Sequence, residues 1–331
     1  MCGVRYQGNA GWLNKRARLL TVHNLMETMI YPRTAIIILN WNGVADTVEC
    51  LESLKKMTYP HYSIIVVDNG SDGDDVRILR EKFGDYVHII ANDRNYGFAE
   101  GNNIGIRYAL SKGTDYVFLL NNDTTVASDS LDEMVKAGES DARIGILGPK
   151  IYFYDKPDII WGAGGKINWW LGAIRLRGYG EVDVGQWDNL AERDILSGAA
   201  LLIKSELLEK ISLLDSSFFF GFEDFDFCIR ARRAGFRVVY VPKAKVWHKA
   251  GASRRKLGSP AIRKTDKRIR ADWGIFGVRI RSKFFRKHSR RPPFPVPLVL
   301  YFLVYWPLRG AELFIYKKVA SFLASSTRGS G

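Results

Sequence analysis

From Thr34 the chain alternates between two hydrophobic periods. Short β-branched runs, TAIIILN (34–40), YSIIVVDN (62–69), VHIIAN (87–92) and DYVFLLNND (115–123), are separated by segments of helical spacing over 46–57, 74–83 and 99–111. Strands alternating with helix-length connections imply right-handed crossovers and a largely parallel sheet covered on both faces. Three of the runs close on polar residues: Asn40 to Asn42, Asp68 to Ser71, and Asn121 to Asp123. Ligands of open α/β sheets sit beyond the carboxyl ends of the strands, so these clusters are expected to share one crevice.

After Pro149 the pattern shifts to Gly- and aromatic-rich stretches, IIWGAGGKINWW (159–170) and LRGYGEVDVGQWD (176–188), which read as loops and hairpins on the acceptor side of that crevice. ILSGAALLI (195–203) and FRVVYVP (236–242) read as strands, and SELLEKI (205–211) as a helix. Residues 223–234 read as a further helix, with acids in the first turn, basic residues in the last and Gly235 as its stop, and Ser217 is a candidate for capping it.

Composition is that of an ordinary globular chain: 47% of the 331 residues are hydrophobic and 25% charged. Charge distribution changes the picture. The net charge is +14, and residues 254–291 alone hold fifteen Lys or Arg against two acids, Asp266 and Asp272. A nearly neutral body with a basic C-terminal segment points to a surface anchor rather than to a wholly basic nucleic-acid binder. The three cysteines, Cys2, Cys50 and Cys228, form no CxxC pair, which argues against a disulfide framework or a cysteine zinc site. Neither a GxxxxGK[ST] loop nor a strand-to-helix GxGxxG is present, so P-loop hydrolysis and dinucleotide redox chemistry lack their signatures.

A metal beside a strand-end carboxylate is another way to handle a diphosphate, and Asp123 stands where such a ligand would sit; a simple Asn-rich turn over 121–123 is the competing reading. Glu223, Asp224 and Asp226 either compensate a helix dipole or, set among phenylalanines, include a carboxylate whose pKa is raised into a base's working range. Asp224 and Asp226 are about 200° apart on a helix, so at most one of them serves the substrate. His248 alone is as compatible with packing as with metal ligation.

Taken in order, IIILNWNG (36–43), VVDNGSDG (66–73), NYGFAEGNN (95–103), FLLNNDT (118–124), LSGAALLI (196–203) and FFFGFEDFDFCIRARRAGFRVVYVPKAKVWH (218–248) resemble the family 2 glycosyltransferases of GT-A fold, in their rhamnosyltransferase-like branch. The resemblance implies an α/β fold with a mostly parallel nucleotide-binding sheet flanked by helices. It places the donor, a nucleotide-diphosphate sugar such as dTDP-rhamnose, at Asn40, Asn42, Asp68, Asn69, Asn102, Asn122 and Asp123. It makes Asp224 the general base, Glu223 its neighbour that positions acceptor or base, and Asp123 with His248 the ligands of Mg²⁺ or Mn²⁺. Two of the three D-x-D-like positions are Asn, which leaves one carboxylate for the metal. The implied reaction is inversion by direct displacement.

These readings divide the chain into an N-terminal extension (1–33), the GT-A domain (34–253) and a basic, apolar C-terminal region (254–331). The uncharged run FPVPLVLYFLVYWPL (294–308) is too short and proline-rich for a regular span, so shallow insertion at the anionic cytoplasmic face of a membrane is expected, near a glycan or lipid-linked acceptor. A helical hairpin packed on the domain is the alternative there. A non-catalytic sugar- or lipid-binding protein and RNA binding through 254–291 are the competing functional classes; nucleic acid is not the expected partner.

Overall fold

The structure, a computed structural model, describes residues 31–249 apart from 171, and residues 273–289. The segment 294–308 and most of the N-terminal extension lie outside the described residues. The first half follows the sequence pattern: β1 (Thr34–Asn40), α1 (Val44–Leu54), β2 (Tyr62–Asp68), α2 (Asp75–Phe83), β3 (His88–Ala91), α3 (Phe98–Ser111) and β4 (Tyr116–Asn121). The strands lie in the order β3-β2-β1-β4, all parallel and in continuous register. Both faces are covered, which explains the unbroken apolar runs. Ile36 and Ile38 face a core made with Leu51 of α1 and Leu79 of α2, whereas Ile37 faces a second core with Ile106 of α3.

The second half extends the sheet with mixed directions. β5 (Thr124–Val126), α4 (Ser130–Glu139), β6 (Ile144–Phe153), β7 (Lys156–Gly162), β8 (Gly165–Asn168), β9 (Ala173–Leu176), β10 (Ala191–Glu192), β11 (Ala200–Lys204), α5 (Ser205–Ile211), α6 (Glu223–Arg233) and β12 (Arg237–His248) follow in the chain. β11 lies between β4 and β6, antiparallel to both. β12 runs parallel to β6, and its last three residues pair antiparallel with β5. β8 and β9 form a separate hairpin.

α7 (Trp273–His288), within the basic C-terminal region, is the last described element. Ile280, Phe284 and His288, four residues apart and therefore on one face, are buried, and Phe284 joins the core that contains Phe227 of α6. Arg230, His288 and Lys287 converge on the buried carboxylate of Asp226, with His288 Nε2 at 2.7 Å and Lys287 Nζ at 2.6 Å. Burial pushes Asp226 up, but these three partners outweigh it and hold the carboxyl below its usual range. Part of the basic segment thus belongs to the domain core.

Candidate active site

The ends of β1 and β2 are tied together by side chains. Asn40 is fully buried; its Nδ2 donates to Asp68 Oδ1 at 2.7 Å and Asp75 Oδ2 at 2.9 Å, while Thr47 Oγ1 donates to its Oδ1 at 2.7 Å. Asp75 Oδ2 also accepts Gly43 N and Val44 N, so the positive end of α1 is occupied by a protein carboxylate. Asp68 accepts Ser71 N and Ser71 Oγ. Asn69, equally buried, donates to Asn95 Oδ1 and Gly97 O and accepts from Asn92 Nδ2 and Tyr96 N, which shapes the 92–97 loop. The side-chain amides of Asn40 and Asn69 are thus bonded within the wall that joins the ends of β1 and β2. Asn42, at φ 50°, clamps Asp72 reciprocally through its side-chain amide. Asn102 spends its amide on Phe98 O one helical turn back, and Asn122 donates to Thr47 Oγ1 at 3.0 Å.

Asp123 lies two residues past the end of β4 and is 5% exposed. The antiparallel pairing of β5 with β12 sets His248 opposite Thr124, and Lys249 N donates to Asp123 O at 2.9 Å. His248 Nε2 consequently stands 3.2 Å from Asp123 Oδ1, although 125 positions separate the two in sequence. Its Nδ1 is buried without a hydrogen-bond partner, and the ring meets Trp161 edge-on at 5.1 Å. One carboxylate oxygen and one imidazole nitrogen facing each other make a donor set that suits a divalent cation whose remaining ligands come from elsewhere. Among the described residues no third His, Cys, Asp or Glu joins them.

The start of α6 is built differently. Gly221 and Phe222 both have positive φ, 88° and 72°; for phenylalanine this is a sparsely populated state. Phe222 is kept there by packing on Phe284 at 5.3 Å and Phe225 at 5.5 Å. It occupies the capping position expected of Ser217, whose hydroxyl instead donates to Asp215. Asp224 Oδ2 accepts Gly198 N at 2.7 Å and its Oδ1 accepts Phe225 N at 2.8 Å. Burial pushes its pKa up to about 6 in spite of these two bonds. Glu223 is 4% exposed, its Oε2 has no partner, and burial followed by the charge of Asp224 pushes its carboxyl well above the carboxylate range.

Gly198 is the residue that sequence reasoning missed. A Cβ there would lie 3.1 Å from the Asp224 Cβ, so any larger residue would push Asp224 by a few tenths of an ångström from the position in which the Gly198 N–H holds it. Its only trace in sequence is the LSGAA wording. Ala199 O, one residue on, accepts Asn121 N at 2.9 Å, which joins the Asp224 cradle to the strand end that carries Asp123. A small cleft lined by Trp161 and Ser197 runs between the His248 side and the Gly198 side. Phe98 N, opening α3, donates to Phe219 O at 2.7 Å and so ties α3 to the loop before α6.

A parallel nucleotide-type sheet whose polar strand ends face a carboxylate–imidazole pair and a desolvated aspartate defines a GT-A-type glycosyltransferase domain. Residues 35–197 match the model of the family described as Glycosyl transferase family 2, and the domain they form belongs to that family. Its relatives include the low-salt glycan biosynthesis hexosyltransferase Agl10 of Haloferax volcanii, 28% identical over 62% of this chain and 63% of that one. The dTDP-rhamnosyl transferase RfbF of Shigella flexneri is 27% identical over 57% of this chain and 60% of its own. The aligned region thus spans less than two thirds of either relative's length. The mannosyltransferase PcManGT from Pyrobaculum calidifontis, solved in complex with GDP-Man and Mn²⁺, shares the fold with a TM-score of 0.52 at 17% identity, over 94% of this chain and 91% of that one.

Proposed function

We propose that the protein transfers a hexosyl group, rhamnose from dTDP-rhamnose in the closest reading of its branch, from a nucleotide-diphosphate sugar to a glycan or lipid-linked acceptor with inversion. The observation that carries this is the state of Asp224: a carboxylate aimed by two backbone N–H groups and desolvated to a pKa of about 6. Such a group is ionised at neutral pH yet basic enough to accept a proton. The acceptor hydroxyl gives its proton to Asp224 as its oxygen bonds to the anomeric carbon. The bond from that carbon to the diphosphate oxygen breaks, and the electron pair leaves with the nucleoside diphosphate.

Asp123 and His248 are the residues that would hold Mg²⁺ or Mn²⁺, and the facing carboxylate oxygen and His248 Nε2 fit that assignment. When bound, the ion supplies positive charge to the departing diphosphate. Asp68, Asn42, Asn102 and Asn122 line the donor end, braced by Asn40 and Asn69. Glu223, whose carboxyl burial pushes well above the usual range, positions the acceptor. The name of RfbF and the GDP-Man complex of PcManGT favour a nucleotide-sugar donor. The basic C-terminal region would keep the enzyme at the anionic cytoplasmic face of a membrane, while no helix among the described residues is long and apolar enough to cross one.

The direct test incubates the purified full-length protein with a panel of nucleotide sugars and Mn²⁺, and follows nucleoside diphosphate release with and without acceptor. Release that depends on one donor and on Asp224 is expected. Donor binding without turnover of any panel member would favour a non-catalytic binding protein instead.

A further inference from the structure

α7 carries Arg279, Arg281, Lys283, Arg286 and Lys287 and no acid in sixteen residues. At 100° per residue its faces separate cleanly. Ile280, Phe284 and His288 point into the domain. Lys283 and Lys287 lie to one side, where they meet the 215–218 loop through Ser217 O, Asp215 and the Phe218 ring. Arg281 and Phe285 lie to the other side, where Arg281 donates to Gly172 O and Phe285 meets Trp169 at 5.8 Å. Arg279 and Arg286 are left on the outward face, both exposed.

The β8–β9 hairpin on the Arg281 side ends in two large apolar side chains. Trp169 stacks on Phe284 at 6.1 Å while remaining 41% exposed, and Trp170 is 78% exposed. On the opposite side the loop pinned by Lys283 continues into Phe219 and Phe220, 39% and 37% exposed, and then into Phe222 and Glu223. An aromatic rim beside an acid-free cationic ridge is therefore fixed to the same helix that buttresses Phe222. Indole rings favour the boundary between headgroups and acyl chains, and each cation near an anionic surface adds its own attraction.

We infer that the β8–β9 hairpin tip and the outward face of α7 form a docking surface for an anionic lipid bilayer, which sets the acceptor side of the cleft at headgroup level. This rests on the proposed lipid-linked acceptor and assigns the contact to a folded surface of the domain, distinct from the segments 254–272 and 294–308. The commitment to lipid follows from charge complementarity and from the position of the tryptophans. A nucleic acid would use the cations but gains little from a pair confined to one hairpin tip.

The test is sedimentation of the full-length protein with phosphatidylglycerol/phosphatidylcholine vesicles and with phosphatidylcholine vesicles, alongside transfer to a soluble acceptor. The parent should bind the anionic vesicles, weakened by salt. Arg279→Ala/Arg286→Ala should lower that partitioning on the order of 30-fold, taking about 1 kcal/mol per basic residue near the surface. Trp170→Ser should lower it about tenfold and remove the blue shift of tryptophan fluorescence on vesicle addition. Transfer to the soluble acceptor and the circular dichroism spectrum should stay as in the parent for both variants. Variants that bind like the parent would overturn the docking surface and leave membrane attachment to the other C-terminal segments. A parent that ignores anionic vesicles would overturn attachment altogether, while transfer to the soluble acceptor would still judge the glycosyltransferase reading separately.

Discussion

At the ends of β1 and β2 the buried amides and carboxylates have partners on a neighbouring strand or helix, as Asn40 does with Asp68, Asp75 and Thr47. At the start of α6, by contrast, Glu223 keeps an orphan oxygen, Phe222 sits at a positive φ, and burial rather than hydrogen bonding governs Asp224. The first region is a satisfied polar network that gives a pocket wall its shape. The second stores cost in desolvated carboxyls and a strained backbone, the usual mark of groups kept ready for chemistry. Rigidity and reactivity are thus assigned to different regions, and substitutions in the two should fail in different ways.

The largest effect is expected at the reactive end. Asp224→Asn keeps the shape and loses the base, so kcat should fall about 10³-fold, within the range that general base catalysis contributes, while donor affinity by calorimetry stays within about twofold. Activity near that of the parent would break the comparison at its centre. Gly198→Ala puts a Cβ 3.1 Å from that of Asp224 and should cost about 10²-fold in kcat by displacing the base, with donor KM nearly unchanged.

At the rigid end the loss should appear in stability and donor binding. Asn40→Ala removes partners from Asp68, Asp75 and Thr47, and should lower unfolding free energy in urea by about 2 kcal/mol and raise donor KM more than it lowers kcat. A pure kcat defect would show that Asn40 belongs to the reactive set. The smallest effect is expected for Glu223→Gln. Gln keeps the size and hydrogen-bonding shape of a side chain assigned to positioning and not to proton transfer, so kcat should stay within about tenfold, and the acid limb set by Asp224 should stay in place because burial is what raises it.

The two regions also differ in how far the sequence reveals them. Apolar runs ending in Asn and Asp make β1, β2 and β4 and their polar ends legible, since period and strand-end polarity are local properties. Which of those amides face a ligand is not local: Asn40 and Asn42 look equivalent in sequence, yet only Asn40 is locked against Asp68 and Asp75. The meeting of Asp123 with His248 depends on β5 pairing with the last turn of β12, which no spacing encodes; the motif resemblance alone suggested it. The direction of β11 was equally hidden, because a strand buried on both faces reads alike either way. The fifteen cations over 254–291 drew attention to charge and masked the Ile280, Phe284 and His288 stripe of α7. Truncation near Ser253 would strip Phe284 from Phe222 and disturb the entry to the proposed base.

The central claim is that Asp224 is a base tuned by burial, and the pH dependence of kcat/KM tests it most directly. Asp224 must be ionised to act, and its raised pKa puts that ionisation at about 6. Activity should therefore be level above pH 7 and fall about tenfold per unit below pH 6, with structure by circular dichroism unchanged across the limb. The residual rate of Asp224→Asn should show no such limb. A profile of the parent that stays flat from pH 7 down to pH 5, or a limb at 6 that persists in Asp224→Asn, would contradict the assignment.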